Sequence, residues 1–137
     1  MKNGMLVEAE IWTVAHTEQG NAVLVKPLGS ELAVPIFIGQ LEAHSILIGL
    51  GGVPMPRPLT HDLLASVIAD LEGELEKIVV HDLRDHTFYA KLVIRRSGKV
   101  VEVDARPSDA IALGVAFDTP IYAEESVLQQ VCNQSEP

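Results

Sequence analysis

The sequence predicts an α+β fold: a compact single domain in which duplicated βββαα units surround a shared core. Three observations predict this class. The chain has 137 residues, the length of one domain; several short stretches alternate between apolar and polar residues; and three strand-like segments followed by two helix-like segments occur twice. We expect residues 1–131 to form the domain and residues 132–137 to form a short C-terminal tail.

The first unit begins with three predicted strands. Residues 5–14 alternate and carry two glutamates on one side, as a half-buried strand does. AVLVK at 22–26 and LAVPIFI at 32–38 supply two further strands. Pro35 cannot donate a backbone hydrogen bond, so the last of these strands is expected at a sheet edge or at a bulge.

Two predicted helices complete this unit. Residues 40–50 are apolar on nearly every side, which indicates a short buried helix that ends at two glycines. The next helix has Thr60 as its expected N-cap and stops near Gly73. Its apolar residues follow helical spacing: Leu63, Leu64, Val67, Ile68 and Leu71.

The second unit repeats the order. Aligning EAHSILIGL with DAIALGVAF places Glu42 on Asp109, so we expect these two acids at equivalent helix starts. The predicted segments are strands at 77–83, 87–96 and 100–104, turns at Asp85-His86 and Ser97-Gly98, a helix at 107–117, a short extended piece from Pro120 to Tyr122, and a terminal helix from about Glu124 to Val131.

Charge and composition limit the class of function. The net charge is −9, with 10 basic and 19 acidic residues, which works against tight non-specific binding to phosphate backbones or anionic lipid. The acidic start is unlike a secretory signal, and no stretch approaches the roughly 20 apolar residues of a membrane span. We therefore expect a cytoplasmic protein without membrane contact. Cys132 is the single cysteine, which argues against a disulfide framework or a CxxC metal site.

Polar residues cluster in front of two of the predicted helices. In DARPSD, Pro107 suits a helix entry, Ser108 can serve as the cap, and Asp109 suits the first turn. Arg106 is left to pair with Asp104 or Asp109. A purely structural role explains this cluster as well as a functional site does.

The second cluster is Thr60-His61-Asp62. A cap at Thr60 and an acid near the helix dipole at Asp62 need no chemistry, but neither explains His61. That histidine could serve as a metal ligand or a general acid. It could equally be a core or surface histidine whose ring nitrogens are hydrogen-bonded within the protein.

A third group is basic and follows the predicted hairpin. It holds four of the ten positive charges. Such a patch is what an acidic protein needs to contact nucleic acid. It also suits a solvated strand face that prevents edge aggregation. Its members are Lys91, Arg95, Arg96 and Lys99.

Several of these stretches resemble the bifunctional nuclease domain family. They are VPIFIGQLEA, RPLTHDLL, FYAKLVI and DARPSDAIALGV followed by PIYAEESVL. The resemblance runs from about Leu6 to Leu128, and DARPSDAIAL is its most specific part. It implies a compact α+β domain of a family whose plant members are described as degrading both RNA and DNA.

The resemblance implies one site at both polar clusters but assigns no roles, so the roles that we expect follow from the chemistry of the residues. The expected catalytic residues are His61, Asp62 and Asp109. Magnesium or manganese is expected on Glu42, Asp62 and Asp109, because these ions prefer oxygen ligands. The expected substrate-binding residues are Arg57 and Arg106 as phosphate clamps, with Ser108, Lys91 and Arg95.

The expected partners are RNA or single-stranded DNA and further copies of the chain. A dimer is favoured because two nearly all-apolar helices and an edge strand with Pro35 are hard to cover in a short chain. The alternative function is a non-catalytic regulatory or scaffold domain. In that case buried arginine–carboxylate networks hold the repeats or subunits together.

Overall fold

The computed structural model describes residues 5–52 and 54–135, and this part of the chain folds into one mixed sheet and four helices. The strands are β1 (Leu6–Thr17), β2 (Gly20–Pro27), β3 (Val34–Ile38), β4 (Glu74–Arg84), β5 (Thr87–Arg96), β6 (Lys99–Ala105) and β7 (Ile121–Glu124). The helices are α1 (Gln40–Gly51), α2 (Thr60–Asp70), α3 (Pro107–Phe117) and α4 (Glu125–Ser135). The predicted α+β class and single domain are confirmed.

The sheet has seven strands in the order β3-β2-β1-β7-β4-β5-β6. Strands β1 to β3 and strands β4 to β6 each form an antiparallel meander. Strand β7 pairs antiparallel with β1 and parallel with β4, so it joins the two meanders into one sheet. Pro35 lies on the edge strand β3, as predicted.

Two tight turns connect the strands of the second meander. Asp85 and His86 have φ values of 49° and 65°, and Ser97 and Gly98 have values of 52° and 76°. Two consecutive residues with positive φ are the mark of a type I′ turn, whose twist matches that of the hairpin strands. Both predicted turn positions are therefore confirmed.

The helices α2 and α3 pack on one face of the sheet. A side chain on Gly114 of α3 would overlap Ile78 of β4, so the glycine lets this helix lie directly on the strand. Ile68 of α2 and Ile94 of β5 both lie beside Gly73. The largest fully buried side chains of this core are Ile46, Ile78, Ile111, Leu113 and Val23, and Val79 is equally buried on the other face of the sheet.

The two halves are alike but not identical in their elements. The first has three strands followed by two helices, whereas β7 separates the two helices of the second. The expected extended piece near Pro120 corresponds to β7. Glu42 and Asp109 are each the third residue of their helices, α1 and α3, as the aligned strings indicated. Superposition of the two halves remains a prediction.

The prediction that α1 is a buried helix was wrong for most of its length. Only Ala43 and Ile46 are buried, whereas Leu41, Leu47 and Leu50 are exposed. In the apolar stripe of the second helix, Leu63, Leu64, Val67 and Leu71 are exposed in the same way. Ile68 is half-buried against the core, and His61 is the buried residue of α2. Both helices touch the core with one side only, so their apolar outer sides face solvent.

The C-terminal helix extends beyond the expected domain limit. α4 continues to Ser135, so residues 132–135 of the expected tail are helical, and residues 136–137 lie outside the described residues. The limit at residue 131 stays a prediction. Among the described residues, no helix is long and apolar enough to cross a membrane.

Candidate functional site at three helix starts

The start of α3 is built by the DARPSD segment. Arg106 is the residue before the helix and has extended backbone angles, and Pro107 is the first helical residue. Proline suits this position because its fixed φ is helical and its missing N–H is not needed there. Asp109 lies in the first turn, as predicted. The prediction that Ser108 caps the helix was wrong, since Ser108 lies inside α3, is buried, and no side chain caps the N-terminus.

The start of α2 differs from the predicted one by a single residue. Leu59 is the N-cap, and Thr60 is already helical, so the expected cap at Thr60 was wrong. The backbone N–H of Leu59 donates to Oδ2 of Asp62 at 3.1 Å. A carboxylate in the first turn satisfies a free amide and also interacts favourably with the helix dipole. Asp62 is therefore the residue that stabilises this helix start.

His61 connects the two helix starts. Its Nε2 lies 3.0 Å from Oδ1 of Asp109, which is 48 residues away in the chain. Asp109 is ionised at neutral pH and can only accept a hydrogen bond, so Nε2 carries the hydrogen and donates it. The other ring nitrogen, Nδ1, is buried and has no hydrogen-bond partner among the described residues. His61 therefore orients the Asp109 carboxylate. In this arrangement its Nε2 is bonded to Asp109 and its Nδ1 is buried, so neither nitrogen is accessible to a substrate.

Arg106 holds two carboxylates from different helices. Its Nε donates to Oδ2 of Asp109 at 2.9 Å, and its Nη2 donates to Oε2 of Glu42 at 3.0 Å. Nη2 also lies 2.8 Å from Oδ2 of Asp109. The exposed fractions are 66% for the Arg106 side chain, 37% for Asp109 and 14% for Glu42. We call Glu42, His61, Arg106 and Asp109 the helix-start cluster. Glu42 is mostly buried, Asp109 is partly exposed, and the guanidinium of Arg106 faces solvent.

The pKa of Asp109 reflects two opposing effects. Partial burial alone raises the pKa, but hydrogen bonds from Arg106 and His61 and the charge of Arg106 outweigh it. The pKa of the carboxyl is held below its ordinary range. The hydrogen bond to Asp109 and the nearby Glu42 raise the pKa of Arg106 further. Both groups are thus charged across the physiological range.

Three cavities border this region. One of about 450 Å³ is lined by Arg57, His61 and Asp62, together with parts of α1 and α3. Arg106 lines the other two, of about 530 and 390 Å³, and Ser108 lines the larger of them. The structure therefore brings His61 and Asp109 into contact, but it places Arg57 and Arg106 on different cavities.

The expected metal ligands do not form a set as they are arranged. Among residues 5–52 and 54–135, no group of three His, Cys, Asp or Glu side chains can hold a metal ion. Arg106 already binds Glu42 and Asp109, and Asp62 accepts the Leu59 amide. Binding of magnesium or manganese by these three acids stays a prediction.

The basic residues of the β5–β6 hairpin have partners close to them in the sheet. Lys91 Nζ lies 3.2 Å from Glu102 Oε1, and Arg95 Nε lies 2.6 Å from Glu76 Oε2. Lys91 pairs with Val79, whereas its neighbour Leu92 pairs with Ile78 on the helix-covered face. Because side chains alternate along a strand, Lys91 lies on the opposite face of the sheet from α3. Substrate binding by Lys91 and Arg95 stays a prediction.

Sequence reasoning missed one part of the cluster. Arg106 was expected to pair with Asp104 or Asp109, and its contact with Glu42, 64 residues away, was not foreseen. A signal was present, because the alignment of the two halves had already placed Glu42 and Asp109 at equivalent positions. The glutamate partners of the hairpin, Glu76 and Glu102, gave no comparable signal.

The fold and the cluster define a mixed α+β domain whose polar residues converge where three helices begin. Comparison with known families identifies this class: the bifunctional nuclease domain matches residues 23–136. The chain belongs to the bifunctional nuclease domain family. The matched range includes all four members of the helix-start cluster.

Relatives of two kinds are similar to the chain. An uncharacterised protein of Mycobacterium tuberculosis (strain H37Rv) is 43% identical over 117 residues, covering 85% of this chain and 70% of that protein. Bifunctional nuclease 1 of Oryza sativa subsp. indica is 21% identical over 102 residues, covering 72% of this chain and 31% of the plant protein. Bifunctional nuclease 1 of Arabidopsis thaliana is 23% identical over 100 residues, covering 71% and 31%. The chain spans about a third of each plant protein.

Proposed function

We propose that the protein is a nuclease that hydrolyses phosphodiester bonds of RNA and single-stranded DNA at the helix-start cluster. One observation carries this proposal. Two of the motifs that carry the family resemblance, RPLTHDLL and DARPSDAIAL, meet through the bond between His61 and Asp109. Distant relatives in plants carry the name bifunctional nuclease, which supports the same reaction class.

Arg106 is suited to bind a phosphate. Its guanidinium is two-thirds exposed and is held in place from below by Glu42 and Asp109. A planar, fixed guanidinium can donate two parallel hydrogen bonds to phosphate oxygens. We therefore assign phosphate binding to Arg106, and we assign positioning of that arginine to Glu42 and Asp109, with His61 orienting Asp109.

The 450 Å³ cavity provides a second polar surface, separate from the two cavities that Arg106 lines. Arg57 is exposed there and makes no hydrogen bond or ion pair with the residues that the structure describes. Asp62 uses Oδ2 for the Leu59 amide, which leaves Oδ1 as an acceptor. A carboxylate with a free oxygen can take a proton from an attacking water. We propose Asp62 as the general base and Arg57 as the contact for a neighbouring phosphate of the same strand.

Magnesium or manganese is a separate part of the proposal. A divalent cation would polarise the phosphodiester and lower the pKa of a bound water. The acids as arranged do not offer it a set of three ligands, so no step is assigned to it. Its involvement is decided by comparing activity with each metal and with a chelator.

A second candidate function is a non-catalytic regulatory or scaffold domain. The observation that favours it is that Arg106 satisfies two carboxylates and so links α1 to α3. The net charge of −9 also works against binding a polyanion. Under this alternative the cluster stabilises the packing of three helices and has no substrate.

The test is a cleavage assay with purified protein on end-labelled single-stranded RNA and DNA. Reactions contain magnesium, manganese or a chelator. The Arg106→Ala variant, purified in the same way, controls for contaminating nuclease. We expect cleavage by the native chain and at least about 100-fold less by the variant. Equal cleavage by both proteins, or none with any metal, would rule out the nuclease and leave the scaffold.

We also propose that the chain acts as a homo-oligomer, with a dimer favoured. The exposed apolar side chains of α1 and α2 support this, because contiguous apolar surface usually marks an interface. A cytoplasmic location stays a prediction.

A further inference from the structure

The 530 Å³ cavity lies where both edge strands of the sheet end. It is lined by the end of β3, the beginning of β5, the end of β6 and the first residues of α3. Because β3 and β6 form opposite edges of the sheet, only the complete fold brings these segments together. Small-molecule sites have volumes of roughly 300–1,000 Å³, so the cavity is large enough for one nucleotide.

Aromatic rings distinguish this cavity from its two neighbours. Phe37 of β3 and both Phe88 and Tyr89 of β5 line it. Among the described residues, those that line the 450 and 390 Å³ cavities include no Phe, Tyr or Trp. Arg106 borders the 530 and 390 Å³ cavities, so a ligand bound to this arginine meets aromatic rings only on the side of the larger cavity.

Two of these rings are not part of the core. Phe37 and Tyr89 each lie between two residues of their strand that pack in the core, so alternation directs both side chains away from it. Phe37 is 56% exposed. The Arg84 guanidinium lies over the Tyr89 ring, 4.5 Å from its centre, but Arg84 does not line the cavity. The tyrosine is thus held by a contact outside the cavity, and both rings are available to a ligand.

Polar groups accompany these rings. Besides Arg106, Ser108 of α3 lines the cavity. Ser108 is only 6% exposed, and its hydroxyl makes no hydrogen bond with the residues that the structure describes. A buried hydroxyl of this kind usually has a partner, which a ligand can supply. No side chain caps α3, so amides of its first turn are also free for an anion. A phosphate on Arg106 can therefore be bound from α3 as well.

A nucleotide combines the two features that this cavity accommodates, a flat ring system and a phosphate. We propose that the cavity binds one unpaired base of a single-stranded nucleic acid against Phe37 and Tyr89. The phosphate of the same nucleotide lies on Arg106 and Ser108. This inference rests on the proposed function for the phosphate at Arg106, but it does not require that the strand be cut. A base inside a duplex is paired and stacked on both faces and cannot enter, so the cavity selects single strands.

The test is the affinity of the full chain for fluorescently labelled strands, measured by anisotropy in a chelator so that metal-dependent cleavage does not interfere. Two single strands of equal length are compared, one of DNA and one of abasic sugar phosphates. We expect the native protein to bind the DNA strand at least about tenfold more tightly, because stacking is lost with the base. The same DNA as a duplex should bind at least about tenfold more weakly than the single strand.

Three variants locate the base. Phe37→Leu keeps an apolar side chain but removes the ring, so it should weaken binding of the DNA strand about tenfold and leave the abasic strand unchanged. Arg106→Ala should weaken binding of both strands, because it removes a phosphate contact. Trp12→Ala is the matched control, since Trp12 is 63% exposed on β1 and lines none of the three cavities beside the helix-start cluster. It should change neither affinity, and circular dichroism should confirm a native fold for all variants.

Equal affinity of the native protein for the DNA and abasic strands would overturn the base site. So would a Phe37→Leu protein whose affinity changes for neither strand, or equally for both. In each of these cases, cleavage of RNA in the assay above would leave the nuclease standing. Base-dependent binding that Phe37→Leu weakens, without cleavage under any condition, would support the base site and overturn the nuclease.

Discussion

Charged side chains gather in two regions of the molecule, the helix-start cluster and the β5–β6 hairpin. In the cluster, Arg106 and His61 reach acids on other helices, and these contacts span 64 and 48 residues of the chain. In the hairpin, Lys91 and Arg95 bind glutamates only 11 and 19 residues away, on adjacent strands. The first arrangement requires the complete fold, whereas the second requires only a meander.

This difference shows why density of charge in the sequence does not identify a site. The hairpin holds more positive charges, but local glutamates neutralise two of them. The cluster has one arginine, yet acids from two helices support it and leave its guanidinium exposed. A guanidinium that is fixed by hydrogen bonds and exposed to solvent is preorganised for a ligand. A surface lysine in an ion pair contributes little to stability.

The largest expected effect compares one arginine from each region. Arg106→Ala should reduce cleavage of single-stranded RNA at least about 100-fold, because it removes the proposed phosphate contact. Arg106→Lys should recover only part of the activity, since a lysine cannot bind two phosphate oxygens in the same plane. Arg95→Ala should change cleavage by less than about threefold.

Steady-state kinetics with labelled RNA provides the measurement. An Arg95→Ala protein as inactive as Arg106→Ala would show that the hairpin takes part in substrate binding. That result would favour the sequence-based prediction that Arg95 binds substrate.

The next effect concerns stability. His61→Ala should lower the free energy of unfolding by about 2 kcal/mol, since it empties a buried space and removes the hydrogen bond between α2 and α3. The control is His44→Ala on the exposed side of α1, which should cost less than about 0.5 kcal/mol. Urea denaturation of both variants measures the difference. Equal small losses would mean that His61 does not join the two helices.

The smallest effect depends on pH. The Asp109 pKa in the folded protein lies below its ordinary value of 3.8, so its stabilising contribution is present above that value and is lost as the pH falls below it. The difference in melting temperature between the native chain and Asp109→Asn should therefore be constant from about pH 7 to 5 and should shrink below about pH 4. A difference that grows in acid would contradict the lowered pKa.

Most of the fold could be predicted because its signals are local. Alternation located the strands, and the turn at Asp85-His86 was evident from residues that accept positive φ. The central place of β7 could not be predicted, because its four residues pair with β1 and β4 from distant parts of the chain. The exposure of the α2 stripe was also hidden, since helical spacing shows that a helix has an apolar side but not what covers it.

The site was predicted in part. His61 and Asp109 were both singled out, and they are in contact. Their local roles were less accurate, because a helix start can be shifted by one residue without changing the composition, as Leu59 and Thr60 show. The support of Arg106 by Glu42 depends on how α1 packs beside α3, which no short motif encodes.

The central claim is that the helix-start cluster serves a reaction and not only the packing of helices. The most direct measurement compares cleavage and melting temperature for Asp109→Asn and Glu76→Gln. Glu76 is a suitable control because it also binds an arginine and is 32% exposed, against 37% for Asp109. We expect Asp109→Asn to lose at least about 100-fold in cleavage with a melting temperature within about 3 °C of native, and Glu76→Gln to keep both native cleavage and the native melting temperature. Native cleavage by Asp109→Asn together with a markedly lower melting temperature would contradict the claim and identify the cluster as structural.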